Sequence, residues 1–236
     1  MATRALPTPL LGRDGRPVAA VSFDVDGTLY RPGLRMYLRV MVRPGAARGF
    51  RLTYRAREAT RSREHDSGPA LRAQVVTELA SRAGMGRDEA EALLARVRER
   101  LTPVVLADMA SRDAHEALRT LRAAGIRTAA LSDEDTPLKL EALGLPEGLF
   151  DVVQSADESG AYKPWPRPFQ RLAAALGLPA SRVLHVGDRP ETDGVGALRA
   201  GMAAAVLAPE AAPQGAVQVR DLRSMAAAVV AAHPPR

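Results

Sequence analysis

The most restrictive feature of the 236-residue chain is a short, largely apolar run, Val18-Ala19-Ala20-Val21-Ser22-Phe23, that leads straight into Asp24-Val25-Asp26-Gly27-Thr28-Leu29. A run this short, with no polar face, predicts a strand buried on both sides, as in a parallel sheet covered by helices. Two carboxylates two residues apart at its end repel each other and are costly there without a cation. Gly27 permits a tight turn after them, and a coiled turn would aim backbone N–H groups at an anion. Asp-x-Asp-Gly-Thr could also serve as a capped turn. The cost of the paired charges favours a functional role.

Beyond this turn the chain divides into two rhythms. Residues 31 to about 103 read as helical: Leu34, Tyr37, Leu38 and Met41 recur at helical spacing, as do Leu71, Val75 and Leu79, then Leu93, Leu94 and Val97. The stretch from Arg55 to Ser67 is polar and broken and predicts a loop or a frayed helix. From Leu106 helices and strands alternate. Expected helices are 114–124, 136–143, 168–176 and 194–200, closed by Gly125, Gly144, Gly177 and Gly201. Expected strands are 126–131, 150–154, 183–186 and 203–207. This predicts an α/β fold: a Rossmann-like parallel sheet core with helices on both faces, plus an inserted all-α domain after the first strand. The expected division is a loose tail over 1–17, a core over 18–31 and 104–236, and a helical insert over 32–103. The Ala/Val/Pro-rich C-terminus carries no clear pattern.

Ligands of such sheets lie at the carboxyl ends of the strands, so the residues found there matter most. Besides Asp24 and Asp26 these are Ser132, whose hydroxyl can donate to a phosphate oxygen, and Lys163 in Gly160-Ala161-Tyr162-Lys163-Pro164. Lys163 is one of two lysines among 33 basic residues. A compact ammonium can touch a phosphate and a carboxylate together, which a planar guanidinium does less well. The other lysine, Lys139, falls on an expected helix and reads as solvated. The last is Gly187-Asp188-Arg189-Pro190-Glu191-Thr192-Asp193, a second acidic pair. Asp133, Glu134 and Asp135 follow Ser132; Asp135 is expected to cap the helix that begins at Thr136-Pro137.

In this order, Asp-x-Asp, Ser, Lys and an acidic pair, the chain resembles the haloacid dehalogenase-like hydrolases, with the insert as a helical cap. The motifs span Asp24 to Asp193. The resemblance implies that Asp24 takes up a phosphoryl group as nucleophile, and that Asp26 is acid and base. It implies that Ser132 and Lys163 hold the transferring group. It further implies that Mg²⁺ is bound by Asp24, the Asp26 backbone carbonyl and Asp188, with Gly27, Thr28 and Asp193 in support. The implied reaction is hydrolysis of a small phosphate monoester. Within the family, dehalogenases lack the second carboxylate, so Asp26 argues against that chemistry, and an insert without lysine argues against phosphonate cleavage through a Schiff base. A sugar phosphomutase on the same scaffold stays open as the alternative, as does a non-catalytic phosphate-accepting or binding module. The latter is disfavoured by the long insert and the pair Asp188/Asp193.

The segment from Arg31 to Pro103 holds 16 Arg against 8 Asp and Glu, which accounts for the net charge of +6. This is either compositional, in a chain that uses Arg almost throughout, or a field for an anionic substrate. Arg35 and Arg39, one turn apart with Arg43, are candidate substrate contacts; their alternative is a solvated face opposite Leu34, Leu38 and Met41. Pro32-Gly33 and Thr102-Pro103 are the expected hinges. The four histidines show no ligand spacing, and His185 reads as a packed core residue. No apolar run spans a bilayer, Met1 to Pro7 lack the apolar core of a secretory signal, and there is no cysteine. The expectation is a cytoplasmic enzyme acting on a small phosphorylated substrate, with no membrane or nucleic-acid partner.

Overall fold

The protein is described by a computed structural model over residues 9–207 and 211–233. Strand β1 (Ala20–Phe23) is followed by five helices: α1 (Leu34–Met41), α2 (Ala46–Thr60), α3 (Gly68–Ala83), α4 (Arg87–Ala95) and α5 (Thr102–Leu106). A wider helical turn, Arg96–Leu101, joins α4 to α5 without a break. Then come α6 (Arg112–Ala123), β2 (Arg127–Ser132), α7 (Thr136–Leu143), β3 (Val152–Ser155), α8 (Pro166–Ala175), β4 (Val183–Gly187), α9 (Val195–Arg199), β5 (Ala203–Val206), β6 (Val217–Gln218) and α10 (Leu222–Val230). Among the described residues the strands form one parallel sheet in the order β3-β2-β1-β4-β5-β6. The α/β fold expected from the pattern is the one observed.

The chain moves outward from β1 to β3, then returns past β1 and moves the other way. β1 is therefore the point where the topology reverses, and the crevice beyond its end is where such sheets bind ligands. Both faces of the sheet are covered. Val21, Phe23, Leu184 and Val186 pack with Leu118 and Leu121 of α6 and Met225 and Val229 of α10. Ala20, Ala129, Leu131 and Val183 pack with Phe169 and Leu172 of α8 and Ala197 of α9. The alternation of adjacent strand residues between the two clusters is the two-residue period of a pleated strand. The five helices after β1 hold a smaller cluster of their own, Ala56, Leu71, Val75, Leu79 and Ala90, into which Tyr162 of the core inserts. No helix among the described residues is long and apolar enough to cross a membrane.

Several local expectations change. Residues 9–17, read as a loose tail, are mostly exposed but tied down at points: Leu10 is buried in the main core and its N–H donates to Ala228 O at 3.0 Å, while Leu11 bridges Pro17. Residues 1–8 lie outside the described residues. Helix α2 runs through Arg55 to Thr60 because Ala56 and Thr60 are buried and the acids opposite hold Arg57 and Arg61. Thr102-Pro103, expected as a hinge, lies inside a continuous helical run; Pro103, which has no N–H to donate, follows directly on the wider turn Arg96–Leu101. The chain leaves the helices instead at Ala107–Ala110, with Asp108 at φ 53°.

The largest addition to the expected elements is α10. Leu222, Met225, Ala226 and Val229 are spaced i, i+3, i+4, i+7 and all are buried, and Asp221 caps the helix by accepting from the Ser224 N–H at 2.7 Å. Slight burial works against the Asp221 charge, but the Ser224 hydroxyl and N–H and Arg220 outweigh it and hold its pKa at about 2. A pKa below the ordinary 3.8 means that the cap stabilises fully above that value and is lost as pH falls towards 2. Asp221→Ala should cost about 1 kcal/mol, a fall in Tm of roughly 2–4 °C for a chain of this size. The gap from wild type, read by thermal unfolding, should narrow as pH falls from about 4 to about 2.

Candidate active site

Parallel pairing brings three strand ends together. Phe23 is level with Ala130 of β2 and Val186 of β4, so Asp24, one residue on, lies between Ser132 and Gly187-Asp188. Asp24 stays in the sheet through its N–H, which donates to Val186 O at 2.9 Å. Gly27 turns the chain at φ 87°, and a Cβ there would sit 2.0 Å from Asp188 Oδ2. Only glycine allows the first and last acidic motifs to approach this closely.

Asp24 is buried, with both oxygens occupied. The Thr28 hydroxyl donates to Oδ2 at 3.0 Å and Lys163 Nζ donates to Oδ1 at 2.5 Å. The same ammonium donates to Asp193 Oδ1 at 2.6 Å. Asp193 also accepts from the Arg189 N–H at 3.1 Å, and lies 3.5 Å from His185 Nε2. His185 is fully buried between Ser22 and Asp193, and burial lowers its pKa, so it sits there neutral. It is the packed core residue the sequence suggests. Burial pushes Asp24 up to about 8, against the pull of Lys163 and with help from Asp193 and Asp26. Burial and the charge of Asp193 push Asp188 up to about 6. Asp188 Oδ1 is buried with no hydrogen-bond partner.

Asp26, two residues on, is part-exposed and carries a different set of donors. The Tyr30 hydroxyl donates to Oδ1 at 2.8 Å, the Ser132 hydroxyl donates to Oδ2 at 3.0 Å, and Lys139 Nζ donates to Oδ2 as well. Burial opposes its ionisation, but Lys139, Tyr30 and Arg57 outweigh it and hold Asp26 well below the usual carboxylate range. Lys139 is thus buried in the site, also donating to Ser132 Oγ at 3.0 Å, and its reading as solvated is corrected. It lies on the inward face of α7, with Leu140 and Leu143.

The cap expected at Asp135 is corrected too. Asp135 occupies the position before α7 but makes no cap; it is in the left-handed region and pairs with Arg98 at 2.7 Å. Thr136 bonds the backbone instead, accepting from Ser132 N–H at 3.1 Å and donating to Gln154 O at 2.8 Å. Asp133 pairs with Arg61 at 2.7 Å and accepts from the Lys163 N–H at 3.2 Å. Glu134 accepts from the Tyr162 hydroxyl and lies 3.8 Å from Arg57.

Asp24, Asp26, Ser132, Lys163, Asp188 and Asp193 therefore converge, with Gly27 and Thr28, at one end of a cavity of about 970 Å³ roofed by α1 to α5. Arg35 and Arg39 do not line it. Arg35 is exposed, and Arg39 donates to Val105 O and Ala107 O at 3.1 and 2.7 Å, tying α1 to the end of α5. The face of α1 turned inward carries Met36 and Val40, while Leu34, Leu38 and Met41 are 52–72% exposed. Arg57 of α2 lines the cavity and acts on Asp26. Motif and spacing do not assign Tyr30, Lys139 or Arg57 to the site. Lys139 shares the rarity that draws attention to Lys163; Tyr30 and Arg57 leave no signal apart from the fold.

The chain matches the haloacid dehalogenase-like hydrolase family over residues 18–201. It belongs to that family. The 5-amino-6-(5-phospho-D-ribitylamino)uracil phosphatase YigB of Escherichia coli K12 is 29% identical over 213 residues, covering 82% of this chain and 84% of that protein. Among solved structures, a 2-haloacid dehalogenase from Pseudomonas syringae matches with a TM-score of 0.62 at 22% identity, over 90% of this chain and 98% of its own. A phosphatase of the family from Thermococcus onnurineus matches at 0.53 and 23%, over 86% and 94%. The putative hydrolase YfnB of Bacillus subtilis, bound to magnesium, matches at 0.66 and 14%, over 91% and 99%. These structures share the fold.

A divalent cation fits the residues present. Carboxylate oxygens of Asp24, Asp188 and Asp193 lie within 4.8 Å of one another, and the unpartnered Asp188 Oδ1 is a buried acceptor suited to a positive group. One lysine among three carboxylates leaves negative charge to offset. Lys163→Met would leave Asp24 and Asp193 facing each other with no cation between them. In metal-free buffer its unfolding free energy should fall by about 3–5 kcal/mol, measured by urea denaturation. A loss below about 1 kcal/mol would show that the ion pairs contribute little.

Proposed function

We propose that the chain is a Mg²⁺-dependent phosphatase that hydrolyses a small phosphate monoester through Asp24. The observation that carries this is the place of Asp26. A second carboxylate, gripped by Tyr30, Ser132 and Lys139, lines the same cavity as the nucleophile. A halide leaving group needs no proton, and an alkoxide does. The relative YigB, a phosphatase by name, points the same way.

In this reading the helices of residues 32–103 are the cap and the sheet with its own helices is the catalytic core. Asp24 attacks phosphorus; the bond from phosphorus to the ester oxygen breaks, and the alcohol leaves with a proton delivered by Asp26. Water then attacks the aspartyl-phosphate, Asp26 takes its proton, and phosphate departs with the Asp24 carboxylate restored. Thr28 and Lys163 fix the rotation of the Asp24 carboxylate, so that attack is in line without reorganisation. Asp26 must carry a proton when the ester bond breaks; the ionised form it is left in, which the donors around it stabilise, then accepts the proton of water and so regains it. Lys163 supplies a donor to the phosphoryl oxygens, and the Ser132 hydroxyl does so by turning from Asp26 towards them. Asp24, Asp188 and the Asp26 backbone carbonyl would hold Mg²⁺, with Asp193 orienting Lys163. An all-oxygen donor set suits that hard ion, which when bound neutralises charge on the transferring group.

The test is phosphate release from a panel of monoesters, with Mg²⁺ and with EDTA, for wild type and Asp24→Asn. Turnover should need Mg²⁺ and fall by three orders of magnitude or more (~10³) in the variant. Mg²⁺ at about 100 times its Kd should stabilise the wild type by about 2.7 kcal/mol, seen as a rise in Tm, and should do so far less for Asp188→Asn. A wild type that releases phosphate from no ester sinks the proposal.

A further inference from the structure

We propose that the alcohol portion of the substrate is a bulky apolar group, such as an aryl-alkyl or long alkyl chain, and not a polyhydroxylated sugar. This rests on the phosphatase reading and concerns the other end of the same cavity. At one end lie the carboxylates and lysines. The apolar walls are Met36, Val40, Phe50, Val75, Val76 and Leu94, with Arg51, Glu91 and Glu99 among the charged residues of the same lining. The space of about 970 Å³ is at the upper end of what small-ligand sites enclose, roughly 300–1,000 Å³. It is far more than a phosphate needs.

The polar groups along these walls are largely committed elsewhere. Thr53 Oγ1 donates to Gly49 O and Phe50 O at 3.1 and 3.2 Å, and Thr102 Oγ1 donates to Val97 O at 2.9 Å. Both hydroxyls face back onto their own helices. Arg98 is paired with Asp135 and Arg72 with Asp157. A sugar bound here would exchange its hydration for surfaces that offer few partners, and buried hydroxyls without partners disfavour binding. An apolar body loses nothing of that kind and removes wall surface from water. The mouth repeats the message: Tyr37, Met41 and Tyr54 line the cavity and are 59%, 56% and 45% exposed, apolar surface that a ligand would cover.

Beyond Arg51 and Glu99 of the lining, one buried polar group near the inner end stands out. Arg57 Nε is buried with no hydrogen-bond partner, and its guanidinium acts on Asp26 through space. It is placed for an acceptor close to the scissile bond. The cavity therefore combines an anion-binding floor, one donor above it and an apolar shaft.

The experiment compares primary-alcohol esters, so that leaving-group acidity is nearly constant: 2-(1-naphthyl)ethyl phosphate and hexyl phosphate against ribose 5-phosphate and glycerol 3-phosphate. The kcat/KM of the naphthyl ester should exceed that of ribose 5-phosphate by about tenfold or more. Met41→Glu, a change at the exposed mouth, should reduce that ratio several-fold, whereas Leu38→Ser, exposed on α1 but outside the cavity, should leave it unchanged. Binding of the corresponding phosphonates, which are not hydrolysed, gives a readout independent of turnover, and calorimetry should show the same order. If ribose 5-phosphate is turned over as well as the naphthyl ester and the two phosphonates bind alike, the apolar-substrate inference is overturned while the phosphatase reading stands. If no ester is hydrolysed, the phosphatase reading falls, and the phosphonate order alone decides what the shaft accepts.

Discussion

The ammonium of Lys163, enclosed between Asp24 and Asp193, is the contact around which the site is built. Three pieces of chain distant in sequence meet there: the end of β1, the turn after β4 and the loop after β3. Without a cation the buried carboxylates could not stay close to one another; protonation or separation would result. The short approach of Gly27 to Asp188 depends on the same condition, because it crowds a third carboxylate into the space. The neutral His185 beside Asp193 adds no charge to this layer, so the single ammonium is left to balance the carboxylates around it. The Asp188 oxygen without a partner then stands out as the place where that balance is unfinished.

Lys163 is also where the helices after β1 are fastened to the sheet. Its carbonyl accepts from Arg61 and its N–H donates to Asp133, which itself pairs with Arg61. Two residues on, Trp165 Nε1 donates to Arg61 O at 2.8 Å, so this tryptophan acts as an anchor between the two parts of the chain. His65 N–H reaches Gly160 O at 2.8 Å, and a side chain at Gly160 would meet His65 O at 2.5 Å. The end of α2 is thus stapled to the loop that delivers the lysine. The roof of the cavity and the charge at its floor are set by one group of contacts, so a shift of either is felt by the other. Arg57, one turn before Arg61 on the same helix, inherits its position over Asp26 from that staple.

The part of the fold legible in the sequence rests on local rules. Each core strand is a short apolar run buried on both faces, and functional side chains sit at or just past its end, so Asp24, Ser132 and Asp188 are visible as strand-end residues. Glycines place the helix ends. Among the helices after β1, α1 is harder to read because it buries no residue fully. On α1 the stripe Leu34, Leu38 and Met41 has helical spacing yet is 52–72% exposed, with Met41 at the cavity mouth, and the inward residues are Met36 and Val40, so periodicity identifies the helix and misleads about its face. Arg39 goes astray with it. Polarity hides the second half of α2, whose arginines are held by acids that only the fold brings near. Lys139 shows the same limit: a charged residue on a short helix is solvated unless the opposite wall supplies a carboxylate, and here Asp26 does. The cap at Asp221 and the apolar stripe after it are ordinary helix signals, obscured by the alanines and valines around them.

The neighbours in fold include dehalogenases and a phosphatase, so architecture alone cannot choose between their chemistries. Both carboxylates of the Asp-x-Asp turn lie in one cavity, but their surroundings drive them apart. Asp24 is enclosed, shares its lysine with Asp193 and sits in a cluster suited to a cation. Asp26 is part-exposed and surrounded by donors from β2, α7 and its own turn. In the proposed reaction the first attacks and the second carries a proton; burial raises Asp24, and positive charge brought to the cluster is what would return it to the ionised form that attacks. A displacement that releases halide has work for the first and none for the second. Four side chains converge on Asp26, through the hydroxyls of Tyr30 and Ser132, the ammonium of Lys139 and the nearby charge of Arg57. That much structure around the second carboxylate is difficult to account for unless the reaction moves a proton there.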